Sequence, residues 1–213
     1  MTKALPFLDR LALPLIAAPM LRVSGIELVS AACTAGVIGA FPTANCQTLE
    51  EFDAWLARLD EEAAAAPGRT APYCPNLIMR RDPARVMAEV ELIARHRAQL
   101  VITSVGSPAA VVPRLHEGGC RVFADVASLH HAVRAIESGV DGLVLLTAGA
   151  GGHTGWANPF AFVRAVRDVF DGPIVLAGGL SDGVALRAAK TLGCDLGIMG
   201  TRFIATRESL ASD

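Results

Sequence analysis

Short apolar segments alternate along the chain with longer segments in which apolar residues recur at helical spacing. The apolar segments, such as Leu13–Met20 and Ile174–Ala177, are each followed by polar residues or glycine. Such runs are typical of parallel strands that are buried on both faces. Strands and helices that alternate at this spacing predict βαβ units and hence a parallel sheet. The predicted strands are Pro14–Met20, Val37–Phe41, Tyr73–Met79, Leu100–Gly106, Arg121–Ser128, Gly142–Ala148, Pro173–Gly179 and Leu196–Phe203.

Residues that cap helix N-termini mark the start of most predicted helices. Two pairs have the spacing of a capping box, and three good N-caps stand directly before a proline at the first helical position. Serine or aspartate opens two more segments. The predicted helix starts are Ser24 with Glu27, Thr48 with Glu51, Asp82-Pro83, Ser107-Pro108, Ser128, Asn158-Pro159, and either Ser181 or Asp182.

The strand count selects the fold class. Eight parallel strands favour a closed (β/α)8 barrel over an open doubly wound sheet. An open sheet normally carries a G-x-G-x-x-G motif after its first strand, whereas this strand ends in Ala17-Ala-Pro-Met20. We therefore predict one α/β domain over residues 1–213, a TIM barrel.

The end of the chain does not fit a full-length barrel, which usually takes about 250 residues. Only the segment Ile204–Asp213 follows the eighth predicted strand. Within it, Thr206–Ser209 resembles the start of an eighth helix. We therefore expect a fragment or a short relative, truncated after strand eight. Strands eight and one would then carry a bare apolar outer surface, which favours a homodimer.

Composition narrows the class of protein. The hydrophobic content is 52%, but no apolar run approaches the about 20 residues that a membrane-spanning helix needs. We predict no membrane contact and no secretory signal. A net charge of −2 without a basic stripe predicts no nucleic-acid binding. The five cysteines are widely spaced and form no CxxC, which predicts buried, reduced thiols in a cytoplasmic protein rather than disulfides or a metal site.

Two neighbouring strand ends are rich in glycine. Gly178 and Gly179 end strand seven and precede a helix N-terminus, and Gly200 and Thr201 lie at the end of strand eight. Glycines let a phosphate approach backbone N–H groups closely, and a helix N-terminus adds donors and a favourable dipole. Tight turns would also explain either pair. Because both pairs lie where such barrels commonly bind phosphate, we predict a phosphate site there.

One histidine stands apart from the other four. His96, His116, His130 and His131 fall on helical segments, where packing or surface roles are expected. His153 instead follows Gly151 and Gly152 in a flexible loop after strand six, at the C-terminal end of the barrel. Histidine titrates near neutral pH, so it serves as a base or a donor.

Polar side chains within apolar strands mark further candidates. Asn76 either makes an internal hydrogen bond or contacts the edge of a bound ring. Asp125 is a carboxylate in strand five, and a buried carboxylate is costly unless a ligand or cation lies near it. The backbone of Ala18, Pro19 and Met20 at the end of strand one either contacts the ring of a bound ligand or simply packs.

Together these segments resemble the nitronate monooxygenase family, formerly called 2-nitropropane dioxygenases, over essentially the whole chain. The group also includes flavin-dependent enoyl-acyl-carrier-protein reductases. The pair formed by the Gly-Gly-His-x-Gly and Met-Gly-Thr-Arg-Phe motifs is quite specific. The segments that carry the resemblance are Ala17–Met20, Asn76, Ala148–Gly155, Leu176–Gly179 and Ile198–Phe203.

The resemblance implies an FMN-binding barrel that oxidises alkyl nitronates with O₂ to a carbonyl compound and nitrite. It makes His153 the catalytic base that removes the α-proton of a neutral nitroalkane. Some family members carry lysine where Asp125 stands, and the family's C-terminal segment over the substrate side is missing. The positions that match FMN contacts are Met20, Asn76, Gly152, Gly179, Gly200 and Thr201.

Two other functions stay open at this point. One is an NAD(P)H-dependent flavin oxidoreductase on the same scaffold, of the enoyl-thioester reductase type. The other is a non-catalytic remnant that binds FMN or phosphate. Fold similarity alone does not decide between them.

Overall fold

The fold is a closed barrel of eight parallel strands. The computed structural model describes residues 5–212, and its strands are hydrogen-bonded in chain order, with β8 returning to β1. The (β/α)8 prediction is therefore confirmed. The strands are β1 Leu15–Ala17, β2 Ile38–Pro42, β3 Tyr73–Ile78, β4 Leu100–Ser104, β5 Arg121–Val126, β6 Gly142–Leu146, β7 Ile174–Ala177 and β8 Leu196–Met199.

Helices connect successive strands on the outside of the barrel. Short 3-10 helices at Leu8–Arg10 and Thr43–Asn45 supplement them. The α-helices are α1 Ile26–Thr34, α2 Leu49–Ala65, α3 Pro83–Arg95, α4 Val112–Glu117, α5 Leu129–Glu137, α6 Pro159–Arg167, α7 Gly183–Leu192 and α8 Thr201–Ile204.

Alternate strand residues pack into two cores. On β5, Phe123 belongs to the cluster inside the barrel, whereas Val122 and Ala124 pack outward under the helices. Leu5 and Phe7 join the interior cluster from the segment before β1, at the N-terminal end of the barrel. The interior is therefore filled with side chains, and the opposite, C-terminal end is the open mouth.

Most of the predicted helix starts are confirmed by their side-chain hydrogen bonds. Thr48 accepts from Glu51 N, Ser128 from His131 N and Asn158 from Phe160 N. Asp82 also caps its helix, and Asp182 rather than Ser181 caps α7. Each side-chain cap contributes about 1 kcal/mol to its helix.

Two predicted helix starts are wrong. Gly25, not Ser24, precedes α1, because the Ser24 hydroxyl turns back to the loop after β1. Helix α4 begins at Val112 rather than near Ser107, whose hydroxyl instead accepts a hydrogen bond from Ala109 N in a preceding turn.

Most predicted strands run past their observed ends, because the apolar pattern continues into the loops at the mouth, whereas β2 ends one residue later than predicted, at Pro42. The largest error is in the last strand, where Thr201 opens α8 instead of extending β8. No helix begins at Thr206, whose segment forms a turn. Leu210 N then donates to Val23 O at 3.0 Å, which holds the segment 205–212 against the loop after β1.

The expected bare surface on strands eight and one is also absent from residues 5–212. Leu15, Ala17 and Met199 are at most 6% exposed. They form a cluster with side chains of α1 and α7, and Phe203 packs on it from α8. This outer surface therefore gives no reason to expect a homodimer.

The five cysteines are all buried and carry free thiols, as predicted. Burial raises the pKa of Cys33 and Cys46 to about 12, which leaves both thiols protonated and unreactive at neutral pH. Within residues 5–212, no helix has the length and apolar character needed to cross a membrane.

Candidate functional site

Three polar side chains line the inside of the barrel mouth. Asn76 shares the inward face of β3 with Cys74, and Asp125 shares that of β5 with Phe123, because side chains on one face recur every second residue. Thr103 on β4 pairs with Ala124 on β5, so the next residue, Ser104, stands beside Asp125. Asn76, Ser104 and Asp125 therefore face the inside of the mouth together.

The buried Asn76 has hydrogen-bond partners inside the protein. Its Nδ2 donates to Ile102 O at 3.3 Å and to Ser104 Oγ at 3.2 Å. Ser104 Oγ lies 3.3 Å from Asn76 Oδ1 and can donate to it. The internal role considered for Asn76 is therefore present, and Ser104 is a partner that the sequence pattern did not reveal.

Asp125 differs, because no hydrogen bond or ion pair reaches its carboxyl group from residues 5–212. The side chain is half-buried at the inner edge of the mouth. Removal from water raises the pKa of Asp125 to about 7. The cation expected beside this carboxylate is absent from the described residues, so Asp125 remains a group that a ligand would satisfy.

The glycine-rich ends of β7 and β8 form an open cradle. Gly179 has φ +70°, and a Cβ placed on it would meet nothing within 4 Å. Gly178 has φ +132°, where a Cβ would lie 2.4 Å from Thr147 Oγ1. Arg202 Nε donates to Ser181 O at 2.7 Å and ties the two loops together. The space beside the Gly179 Cα is thus open to an approaching phosphate.

The loop after β6 packs against this cradle. Gly179 N donates to Gly149 O at 3.2 Å, and a Cβ at Gly149 would lie 3.3 Å from Gly179 N. Thr154 Oγ1 donates to Thr147 O at 2.9 Å and closes the base of the loop. The structure therefore brings the glycine loop after β6 and the glycine pair after β7 together.

The tip of that loop carries Gly151, Gly152 and His153. All three are exposed, and a Cβ on either glycine would meet nothing within 4 Å. His153 has no hydrogen-bond partner among residues 5–212, and the neighbouring Trp156 is 86% exposed. His153 lies in a loop at the mouth end of the barrel, and no hydrogen bond or ion pair within residues 5–212 joins it to another predicted site residue.

The loop after β1 reaches the end of β8. A Cβ at Gly200 would lie 3.4 Å from Met20 Sδ and 3.6 Å from Ala18 Cβ. Ser24, fully buried, donates from Oγ to Ala18 O at 2.9 Å and accepts from Met20 N at 3.0 Å. Ala18, Pro19 and Met20 are half-buried, so this loop forms one wall of the mouth next to Gly200 and Thr201.

Asn45, which no sequence pattern singled out, fixes the shape of the same loop. Its Nδ2 donates to Met20 O at 3.1 Å and to Ser24 O at 2.9 Å. Its Oδ1 accepts from Arg22 N at 2.8 Å. Arg22 has φ +61°, which non-glycine residues adopt only when surrounding contacts impose it.

A buried ion cluster holds the 3-10 helix that carries Asn45. Glu89 on α3 is 0% exposed and accepts from Thr43 Oγ1 at 2.7 Å. It also accepts from Arg81 Nη1 at 3.0 Å and from Arg85 Nε at 2.8 Å. Thr43 and Asn45 belong to one 3-10 helix after β2, so the cluster anchors the wall of the mouth to α3.

The remaining histidines have structural or surface positions, as expected. His96 follows α3 and lies 2.7 Å from Asp53 Oδ1 and 2.6 Å from Asp60 Oδ2. His116 Nε2 lies 2.8 Å from Asp141 Oδ2 at the N-terminal end of the barrel. His130 and His131 are exposed on α5.

Comparison with known proteins assigns the family. The family model described as nitronate monooxygenase matches residues 47–213. The chain belongs to this family. The matched residues include Asn76, His153 and both glycine pairs, whereas the loop after β1 and Asn45 precede the match.

Individual relatives of this nitronate monooxygenase family member carry different names. The chain is 30% identical over 203 residues to "(3aS,4S,5R,7aS)-5-hydroxy-7a-methyl-1-oxo-octahydro-1H-indene-4-carboxyl-CoA dehydrogenase" of Mycobacterium tuberculosis, covering 94% of the chain and 55% of the relative. It is 26% identical over 241 residues to a nitronate monooxygenase of Paraburkholderia phytofirmans, covering 92% and 64%. The chain thus spans about half to two thirds of the curated relatives it matches.

Solved structures that superpose on the chain also carry different names. FabK from Thermotoga maritima superposes with a TM-score of 0.83 at 26% identity, covering 98% of this chain and 64% of that chain. A nitroalkane oxidase from Streptomyces ansochromogenes also reaches 0.83, and its 24% identity supports the fold alone. The barrel is therefore shared by relatives that act on different substrates.

Proposed function

We propose that the protein is an FMN-dependent oxidoreductase that oxidises alkyl nitronates with O₂ to a carbonyl compound and nitrite. The observation that carries the proposal is the cradle at the ends of β7 and β8, where the space beside the Gly179 Cα is open and Gly200 and Thr201 follow the neighbouring strand. A cytoplasmic location is part of the proposal, in line with the buried free thiols.

The residues present fit FMN. Gly178, Gly179, Gly200 and Thr201 would hold its phosphate, because the strand-end glycines leave room for it and the N-termini of the helices that follow offer backbone N–H groups. Further contacts would come from the three walls of the mouth. These residues are Ala18, Pro19 and Met20 in the loop after β1, Asn76 and Asp125 inside the barrel, and Gly151 and Gly152 after β6.

FMN, when bound, would supply the redox chemistry between the substrate and O₂. The chain supplies the proton chemistry. His153 would take the α-proton of a neutral nitroalkane on a ring nitrogen and so form the nitronate. Its exposed loop has no hydrogen bond that fixes the ring, so the imidazole is free to turn towards a substrate.

The test of His153 uses two forms of one substrate. His153→Ala should reduce turnover of 2-nitropropane by about a hundred- to ten-thousandfold, because the variant lacks the base. Turnover of preformed propyl-2-nitronate, which needs no proton removal, should change far less. His131→Ala removes another exposed histidine and is the matched control. Equal losses for the two substrates would contradict the assignment of His153 as base.

The test of the cradle uses a glycine substitution. Gly179→Ala places a methyl group in the open space and strains a residue at φ +70°, so FMN affinity should fall at least tenfold. Gly68 has φ +76° and equally open space, but it follows α2 away from the mouth. Gly68→Ala therefore controls for strain. If fluorescence titration gives both variants the same FMN affinity, Gly179 does not hold the phosphate.

A second candidate is an NAD(P)H-dependent flavin oxidoreductase that acts on acyl thioesters. The relative at 30% identity is named as a dehydrogenase of a carboxyl-CoA compound, and this observation favours the second candidate. Anaerobic titration decides between the two. Bleaching of bound FMN by NADPH supports the reductase, and bleaching by nitronate, with nitrite released in air, supports the monooxygenase. A protein that takes up no FMN contradicts both.

A further inference from the structure

Asp125 is the only acidic residue in the eight strands of the barrel. It shares the inward face of β5 with Phe123, so its side chain points into the mouth. Its neighbour on β4 is Ser104, and its register partner on β6 is Val144, which belongs to the interior cluster. The carboxyl group therefore stands between a hydroxyl group and an apolar side chain, with no charge on either adjoining strand.

The carboxyl oxygens of Asp125 reach the open space of the mouth. The side chain is half-buried, and no hydrogen bond or ion pair from residues 5–212 reaches it. Within those residues, every fully buried polar side-chain atom has a partner, so the unbonded oxygens of Asp125 are not sealed inside the protein. A polar group that is unbonded and open on one side is placed to bond a ligand that enters from that side.

No charged side chain of the described residues offsets the burial of Asp125. The other charged residue of the strands, Arg121, begins β5 at the opposite end of the barrel and pairs with Asp141. Cys74, deeper on the inward face of β3, is fully buried, and burial raises the pKa of its thiol well above the usual value. Burial likewise raises the pKa of Asp125 to about 7.

The loops above Asp125 supply no counter-charge either. The loops that directly follow β4 and β5 contain no titratable side chain. Arg80 after β3 and His153 after β6 are exposed, and no hydrogen bond or ion pair within residues 5–212 joins either of them to Asp125. Arg81, the next residue after β3, is held by Glu89. The carboxyl group thus faces the mouth without a cationic partner.

A bound flavin would favour the neutral carboxyl group still further. A flat ring that covers the mouth removes the remaining contact of Asp125 with water, and loss of water disfavours a charged carboxylate. The phosphate of FMN brings negative charge to the same mouth, and a like charge also disfavours the carboxylate. A protonated carboxyl group avoids both penalties and has an O–H to donate to a nitrogen or carbonyl oxygen at the edge of the ring.

We propose that FMN binds to the form of the protein in which Asp125 carries a proton, and that this O–H donates a hydrogen bond to the flavin ring. The inference rests on FMN binding, which is part of the proposed function, and adds that loading with FMN depends on pH. Above about pH 7 the flavin-free protein has lost the proton of Asp125. Each FMN that binds must then be accompanied by uptake of one proton, so the affinity falls as the pH rises.

The experiment measures FMN binding to the flavin-free chain at pH 8 and pH 9 by fluorescence titration. The dissociation constant of the native protein should rise about tenfold between these values, because one proton is taken up. The phosphate of FMN has lost its second proton throughout this range, since the second pKa of a phosphate monoester is about 6. Calorimetry at pH 8 in two buffers of different ionisation enthalpy should show uptake of about one proton per FMN.

Three variants separate Asp125 from other titrating groups. Asp125→Asn keeps the size and a hydrogen-bond donor but has no proton to take up, so its affinity should not change between pH 8 and pH 9 and should exceed that of the native protein at pH 9. Asp125→Ala lacks the donor and should bind FMN more weakly than Asp125→Asn at both pH values. Asp171→Asn replaces an exposed aspartate that precedes β7, at the opposite end of the barrel, and should keep the native pH dependence. Circular dichroism at each pH verifies that the variants are folded.

Three results would overturn the inference. One is a native affinity that does not change between pH 8 and pH 9. Another is release of protons on binding, which would indicate a carboxylate that accepts a hydrogen bond from the ring. The third is a pH dependence that persists unchanged in Asp125→Asn and therefore belongs to another group. A native chain that takes up no FMN contradicts the proposed function as well, whereas FMN binding without proton uptake contradicts this inference alone.

Discussion

Replacement of Glu89 by alanine is expected to lower the free energy of unfolding by about 3–5 kcal/mol. Glu89 is fully buried and accepts hydrogen bonds from Thr43, Arg81 and Arg85. Without it, two arginines that are about a quarter exposed or less lose their counter-charge. Removal of one partner of a buried ion cluster costs far more than the cluster itself contributes, because the remaining charges stay desolvated.

The matched control lies two residues further along the same helix. Glu91 is 54% exposed and pairs with Arg114 at 2.7 Å. Solvent screens such a pair, so Glu91→Ala should lower the free energy of unfolding far less than Glu89→Ala does. Urea unfolding followed by circular dichroism gives both values. Equal losses for the two variants would show that burial of Glu89 does not govern its contribution.

The effect of Glu89 should extend to the mouth of the barrel. Thr43 is hydrogen-bonded to Glu89 and lies in the same 3-10 helix as Asn45, which holds the loop of Met20. Packed elements that share hydrogen bonds transmit a local change to one another. The cluster thus connects the stability of α3 with the shape of the candidate site.

The fold could be predicted from the sequence because its signals are local. Apolar runs define the strands, and side chains such as Thr48 and Asp182 cap the helix that follows directly in the chain. The errors also have local causes. Ser24 has the spacing of a capping box, but its hydroxyl instead forms hydrogen bonds with the backbone of Ala18 and Met20.

The candidate site could be predicted only in part. The glycine pairs and His153 are visible as motifs in loops that follow predicted strands. Asn45 and Glu89 are not, because each acts through partners that are distant in sequence. Asn45 bonds to Met20, 25 residues before it, and Thr43 bonds to Glu89, 46 residues after it. Such contacts exist only once the barrel has closed.

Asp125 is an intermediate case. A carboxylate within an apolar strand predicts a nearby partner, since burial without one is costly. The structure confirms the burial but provides no hydrogen bond or ion pair from residues 5–212. Burial instead favours the protonated carboxyl group and raises the pKa of Asp125 to about 7. The missing partner is the strongest indication that a ligand belongs beside Asp125.

This unsatisfied carboxyl group leads to a stability that depends on pH. A folded-state pKa near 7, against an ordinary value of 3.8, means that the folded protein disfavours the ionised form. Below about pH 4, Asp125 is protonated in both states and therefore does not lower the free energy of unfolding of the native chain. It declines as the pH rises from about 4 to 7 and stays lowered above pH 7.

Asp125→Asn removes this dependence, because the amide carries no charge. The variant should be more stable than the native chain at pH 8, by roughly 2–4 kcal/mol after allowance for the partial exposure of the side chain. The difference should shrink towards zero near pH 4. Urea unfolding of the flavin-free proteins at a series of pH values measures it. A difference that stays constant between pH 4 and pH 8 would mean that Asp125 is ionised as readily in the folded state as in the unfolded chain. If FMN contacts Asp125, saturating FMN should also change the pH at which the stability difference between the native chain and Asp125→Asn appears. A ligand that binds only the folded state shifts the titration of the groups that it touches.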